Sequence, residues 1–448
     1  MKGGLPLSLP SALFRTPSSM TPPGGHQEHP DLPEKLRVQY LLFAVLLTFI
    51  TGLFFNTPQE ILEGLYAIHR SPSILLSDYM EVGNIGAALV NSSFLMLLSM
   101  ALAKRARVTV SGPFIAAIFT IGGFALFGKN LYNSLPIMAG VLIHAKYRKE
   151  PFGKFILPAL FGTALGPVVS QLSFGLALPL PLSIPLGILA GLLAGFMLPS
   201  LANQFIRFHQ GYNLYNIGFT SGIIGMLFMS LVRGFAKDNS PTAILLKEES
   251  LGLLLYLLML FGSMVVFGLK TGVHHKDSLL KLFRRPGQLV SDFVASDGFP
   301  VTSLNMGLLG LLTTGYIFLV GGSLNGPIIG GIFTVVGFGA FGKHVKNVLP
   351  IMVGILLANA VFQWEVSSIG SLLAALFATT LAPIAGAYGI IPGLLAGFLH
   401  MAVVMNVGYL HGGMNLYNNG FSGGFVAAIL VPVLDSLNVG ARKWEEGK

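Results

Sequence analysis

Two lysines stand in matching apolar surroundings, where a charge is costly. Lys129 lies in FGKNLYNSLPIMAG, Phe127 to Gly140, and Lys343 in FGKHVKNVLPIMVG, Phe341 to Gly354. In both, a Gly-rich apolar segment stops at FGK, a few polar residues follow, and a new apolar segment begins at LPIM. A cation at a helix end meets the partial negative charge of unpaired carbonyls. A helix starting directly afterwards turns free N–H groups toward the same space. Ser134 before Leu135-Pro136, and Leu349-Pro350 in the second copy, suit such a start. Lysine and free amides together favour an anionic or carbonyl-bearing solute. The candidate substrate-binding residues here are Lys129, Asn130, Asn133, Lys343 and Asn347. The competing reading is that each lysine snorkels or only ends its helix.

A second motif is also written twice, as HQGYNLYNIGFTSG from His209 and HGGMNLYNNGFSGG from His411. It places Asn213, Tyr215 and Asn216, then Asn415, Tyr417 and Asn418, at the start of an apolar segment. Their amides can cap the helix, bond to neighbouring helices, or offer paired donors and acceptors to a solute. These six residues complete the candidate set. Gly218 and Gly222, like Gly420 and Gly424, form a small-xxx-small packing face. Asn91 and Asn305, equivalent in the repeat, are open to either role.

Other chemistry is thinly represented. There is no cysteine, which excludes disulfides and thiolate metal sites. The carboxylates nearest the apolar segments, Asp78, Glu81, Asp292, Glu365 and Asp435, all lie at segment ends, which disfavours a buried carboxylate proton relay. Sodium coupling through the carbonyls of broken helices stays open. His144 and His400 have Ala358 and Leu198 as repeat equivalents and read as packing residues. No His and carboxylate spacing suggests a metal, and no nucleophile has a base nearby. Neither an enzyme nor a bound cofactor or metal is expected.

These residues need a membrane scaffold. Of 448 residues, 53% are hydrophobic and 10% charged, far from the quarter or so charged in soluble domains. The chain therefore reads as an all-α polytopic membrane protein embedded in a lipid bilayer. Its net charge of +9 falls mainly in the connections, which fits an orientation bias rather than nucleic-acid binding. Residues 1–36 read as a disordered cytoplasmic tail and 37–56 as a first transmembrane span. Two six-segment repeats occupy 77–234 and 291–436, joined by a linking span at 250–270 and a basic cytoplasmic loop at 271–290. Residues 437–448 form a cytoplasmic tail. Ser111-Gly112-Pro113 recurs as Asn325-Gly326-Pro327, an offset of 214 residues that also relates Lys129 to Lys343. Such internal symmetry is typical of transporters. The Lys104-Arg105-Arg107 loop, the Lys146–Lys154 loop and the 270–285 segment fall on one side, with Arg442 and Lys443. The second repeat's loops near Ser323 and Glu365 carry no Lys or Arg. The repeats are thus expected to be inverted, with both termini cytoplasmic.

Gly112 to Ala145 is 34 residues, whereas two crossings need roughly 20 each. Segments 112–145 and 326–362 are either pairs of short tilted helices or re-entrant hairpins. As hairpins in inverted repeats, they would enter from opposite faces and bring both lysines near the midplane. The Asn216-Ile217-Gly218 and Asn418-Asn419-Gly420 helix starts, in two inverted copies with interrupted segments, resemble the urea-transporter family. That resemblance implies a central solute path between two halves. As a whole, the chain is more similar to an uncharacterised bacterial family of polytopic membrane proteins of unknown function. The expected function is a bacterial inner-membrane transporter or channel for a small polar solute, an anion or small carboxylate being preferred. The alternatives are a urea-type channel for a neutral amide and a non-transporting structural subunit of a membrane complex. Homo-oligomers are compatible with this plan.

Overall fold

The computed structural model describes residues 32–235, 237–238, 243–271 and 275–437. Most of the two expected tails, including Arg442 and Lys443, lies outside the described residues. The described chain is helical, and its only extended pairing is two isolated bridges, Ser77 with Ile244 and Asp78 with Phe127. Eleven helices are long and apolar enough to cross a membrane.

The first, α1 (Glu34–Phe55), is followed by α2 (Pro58–Arg70), where the sequence suggests only a polar connection. Thr57 and Glu60 form a capping box and Pro58 occupies the first helical position, which explains why this amphipathic stretch winds up. Then come α3 (Ile85–Arg105), α4 (Gly112–Phe124) and α5 (Leu131–Tyr147). A broken span α6 (Phe152–Gly175) leads to α7 (Leu180–Phe208) and α8 (Asn216–Gly234). The second half repeats this order. It comprises α9 (Leu251–Thr271), α10 (Phe299–Leu319), α11 (Gly326–Phe338), α12 (Val345–Phe362), broken α13 (Ile369–Tyr388), α14 (Ile390–His411) and α15 (Asn418–Ser436).

Helices α4 and α11, 13 residues each, are about 20 Å long, short of a 30 Å hydrocarbon layer. They pack side by side in the core and run antiparallel. Gly123 lies against Gly330, and Gly112 faces the carbonyl of Ala340 just beyond α11. Phe119 and Phe333 meet edge to face at 5.9 Å between. Almost every residue of both helices is buried. An apolar helix too short to cross is therefore kept from lipid by its equivalent in the other half.

The equivalence extends to α1 and α9. Gly52 of α1 packs on α3 at Gly86 and Leu89, and Gly268 of α9 packs on α10 at Pro300 and Leu304. The helices α1 and α9 are themselves antiparallel, joined by Tyr40 to Ser263 at 3.1 Å and Thr48 to Tyr256 at 2.6 Å. The linking span thus does for the second half what the first span does for the first.

The halves also cap each other. Asp78, before the first half's α3, accepts N–H bonds from Met80, from Leu246 and, at 3.1 Å, from Gly326 at the start of α11. Asp292 in the second half accepts from Ala295 and, at 3.0 Å, from Gly112 at the start of α4. Each core helix begins on a carboxylate from the opposite half, where a negative charge suits the helix dipole.

Candidate functional site

Both FGK stretches are sharp turns after a core helix. Gly128 and Gly342 hold φ of +93° and +116°, which L side chains rarely adopt. A Cβ on Gly342 would also strike the carbonyl of Gly287. Breaking a helix in the interior strands backbone carbonyls, and one asparagine in each half collects them. Asn91 donates to the carbonyls of Ala125 and Lys129 at 2.7 and 2.8 Å, and Asn305 donates to those of Gly339 and Lys343, both at 2.8 Å. The amides of the sequence pattern thereby acquire a role: they hold each turn on its neighbouring helix.

The new helix starts earlier than Leu135-Pro136 suggests. Asn130 is the cap of α5 and forms a capping box with Asn133, while His344 and Asn347 do the same for α12. Ser134 and Leu349 lie inside the helix instead, because the capping box opens it at Asn130 and His344, five residues before the apolar run resumes at Leu135 and Leu349. Asn133 also donates to the Gly128 carbonyl and to Ser170, and Asn347 to the Gly342 carbonyl. These asparagines are engaged in shaping the turns.

The turns themselves do not meet at the midplane. Leu126 ends beside Gly326 and Ala340 beside Gly112, so the two turns sit at opposite ends of the α4–α11 pair, about 20 Å apart. What bridges them is a row of aromatic rings. Lys343 Nζ donates to Tyr215 Oη at 2.5 Å and to Thr379 Oγ at 2.7 Å, and lies 4.5 Å from the Tyr215 ring centre. The Tyr215 and Tyr417 rings are 5.2 Å apart, Tyr417 and Phe124 are 4.6 Å apart, and Lys129 Nζ lies 4.9 Å from the Phe124 ring centre. Both lysines are fully buried, and neither forms an ion pair among the described residues.

The Asn-Leu-Tyr-Asn stretches deliver the two tyrosines. Each runs non-helically into the centre and docks on the broken span of the other half, Leu214 N–H donating to Thr380 and Leu416 N–H to Ala164. Asn213 ties the helix starts together, donating to the Gly420 carbonyl and accepting from Thr380 Oγ. Asn216 bonds His209 and the Ala202 carbonyl, and Asn418 bonds His411. Asn415 accepts from the Tyr417 N–H, and its amide nitrogen has no partner among the described residues. His144 and His400 pack as expected, against the Phe196 carbonyl and Asn419.

Sequence reasoning passed over Thr120 on α4, and the breaks in α6 and α13, the second of which places Thr379. The repeated signal was there: Thr163-Ala164-Leu165-Gly166-Pro167 and Thr379-Thr380-Leu381-Ala382-Pro383 are equivalent, each with a 3-10 turn before a new helix. A cavity of about 60 Å³ opens among α6, α7 and the start of α8 and reaches both Tyr215 and Tyr417. That is room for a few waters or one compact solute.

The chain belongs to the family described as protein of unknown function (DUF1576), whose model matches residues 57–234 and 274–436. The two matched stretches fall on the two halves, from α2 to α8 and from just before α10 to α15. This is the uncharacterised family expected from the sequence. No curated protein and no solved structure is a significant match, and the weaker resemblance to urea transporters gains no support.

Proposed function

We propose that this protein is a transporter or channel, not an enzyme, and carries a small polar solute between its two inverted halves. One observation supports the reading above the rest. Two lysines are buried at opposite ends of the α4–α11 pair and are joined by tyrosines that both reach a small cavity. Ionised side chains within a bilayer mark solute or ion paths more often than packing, and no carboxylate among the described residues pairs with either lysine. The solute class that suits a buried lysine with no carboxylate partner among the described residues is an anion or small carboxylate. The basic loops favour a reading in which both termini are cytoplasmic, in a bacterial inner membrane.

Flux in proteoliposomes tests this. An anion gives voltage-dependent uptake of a labelled small carboxylate, strongly reduced in Lys129→Met and Lys343→Met at equal reconstitution. Electroneutral osmotic swelling with urea would point to the neutral amide instead. Undiminished flux in both variants would remove the lysines from the path.

A further inference from the structure

The two lysine centres have the same residues but not the same bonds. Around Lys343 the donors and acceptors are closed on one another: its Nζ bonds Tyr215 and Thr379, Thr379 bonds the Leu376 carbonyl, and Thr334 bonds the Gly330 carbonyl. Around Lys129, Thr163 bonds the Leu160 carbonyl as Thr379 bonds that of Leu376, but the other equivalent atoms are not closed in this way. Lys129 Nζ is buried and lacks a hydrogen-bond partner among the described residues, and the buried hydroxyls of Tyr417 and Thr120 have at most each other. They are gathered on one ring. Phe124 lies under Lys129 Nζ and against Tyr417, Thr120 is one turn before Phe124 on α4, and the Tyr417 hydroxyl lies beside Thr120. Buried polar atoms are nearly always paired, and a buried lysine amine with no acceptor, close to two hydroxyls that have only each other, requires an explanation.

We propose that Lys129, Tyr417 and Thr120 form the binding site for one compact monovalent anion, while the Lys343 centre binds none. This deepens the transport reading and rests on it only for the purpose of the site. An ammonium and two hydroxyls supply donors and no competing carboxylate. A single negative charge compensates the single cation, whereas a dianion would leave excess charge in a low-dielectric interior. The neighbouring rings are Phe124 and Tyr417, and the complete burial of Lys129 and Thr120 suits an anion no larger than a halide, nitrate or formate. Of these residues Tyr417 also lines the cavity described above, whose remaining walls include Tyr215 and Phe338 beside the other lysine.

The test is thermal unfolding of the purified full chain in detergent. Chloride, nitrate, formate and, as controls, gluconate and urea are titrated at constant ionic strength. Ligand that binds only the folded state raises the midpoint. Wild type shows a saturable rise of several degrees with the small anions and none with gluconate or urea. Tyr417→Phe, which keeps the ring and the fold, weakens the apparent affinity severalfold. Lys129→Met weakens it roughly tenfold or more, the value of a charge-assisted bond. An unchanged shift in Lys129→Met and Tyr417→Phe, or no anion dependence in wild type, overturns the proposal. Binding as expected without flux in liposomes would count against transport and keep the site; flux without anion binding at Lys129 would do the reverse.

Discussion

The Lys129 and Lys343 centres are the same construction in two states of completion. Both turns are pinned by an asparagine on a neighbouring helix, both new helices start on a capping box, and a tyrosine from the opposite half comes to each centre, Tyr215 onto Lys343 and Tyr417 onto the Phe124 ring beneath Lys129. Only one lysine bonds its tyrosine. The scaffolding therefore matches in the two halves, whereas the polar heads differ. A solute site built from duplicated parts need not itself be duplicated, since rigid turns can hold one centre satisfied and the other open.

The comparison can be broken at its foundations first. Asn91→Ala and Asn305→Ala each remove two buried bonds and leave a cavity, at a cost of about 2–4 kcal/mol apiece. Denaturant unfolding should give nearly equal losses; a large inequality would mean that the scaffolds differ as well. The lysines come next, with opposite signs. Lys343→Met strands Tyr215 and destabilises by about 1–3 kcal/mol. Lys129→Met removes an unpartnered buried amine and, without anion, stabilises by about 1 kcal/mol or more. Equal destabilisation by both would erase the contrast. The smallest effect belongs to the hydroxyls. Tyr215→Phe should cost about 1 kcal/mol, while Tyr417→Phe in the absence of anion should be close to neutral. A calorimetric or fluorescence-detected melt resolves the difference.

Much of this was legible in the sequence. The apolar segments, the offset of 214 residues and the interrupted helices all appear in composition and repetition, because burying a helix in lipid or in protein demands apolar residues wherever it lies. Helix α2 was missed because half its residues face outward and dilute its hydropathy, although its capping box is written in Thr57-Pro58-Gln59-Glu60. The starts of α5 and α12 were placed late because the apolar run at LPIM is louder than the polar Asn130 and His344 that begin the helix. Thr120 and Thr379 look like any hydroxyl in an apolar run. Their setting depends on tyrosines far along the chain, one of them 165 residues or so away from its dock on α13. The asymmetry of the lysines could not be read at all, since Lys, Tyr and Thr occupy both copies.

The exchanged aspartates set a timetable for synthesis. Gly112, the first amide of α4, finds its carboxylate 180 residues later in the chain, whereas Gly326 meets one made 248 residues earlier. At translation speeds of roughly 5–20 residues per second, the first core helix waits about 10–40 s for its partner, while the second is received at once. The nascent first half is thus a docking frame left open at one end, and the arrival of Asp292 is the event that closes it.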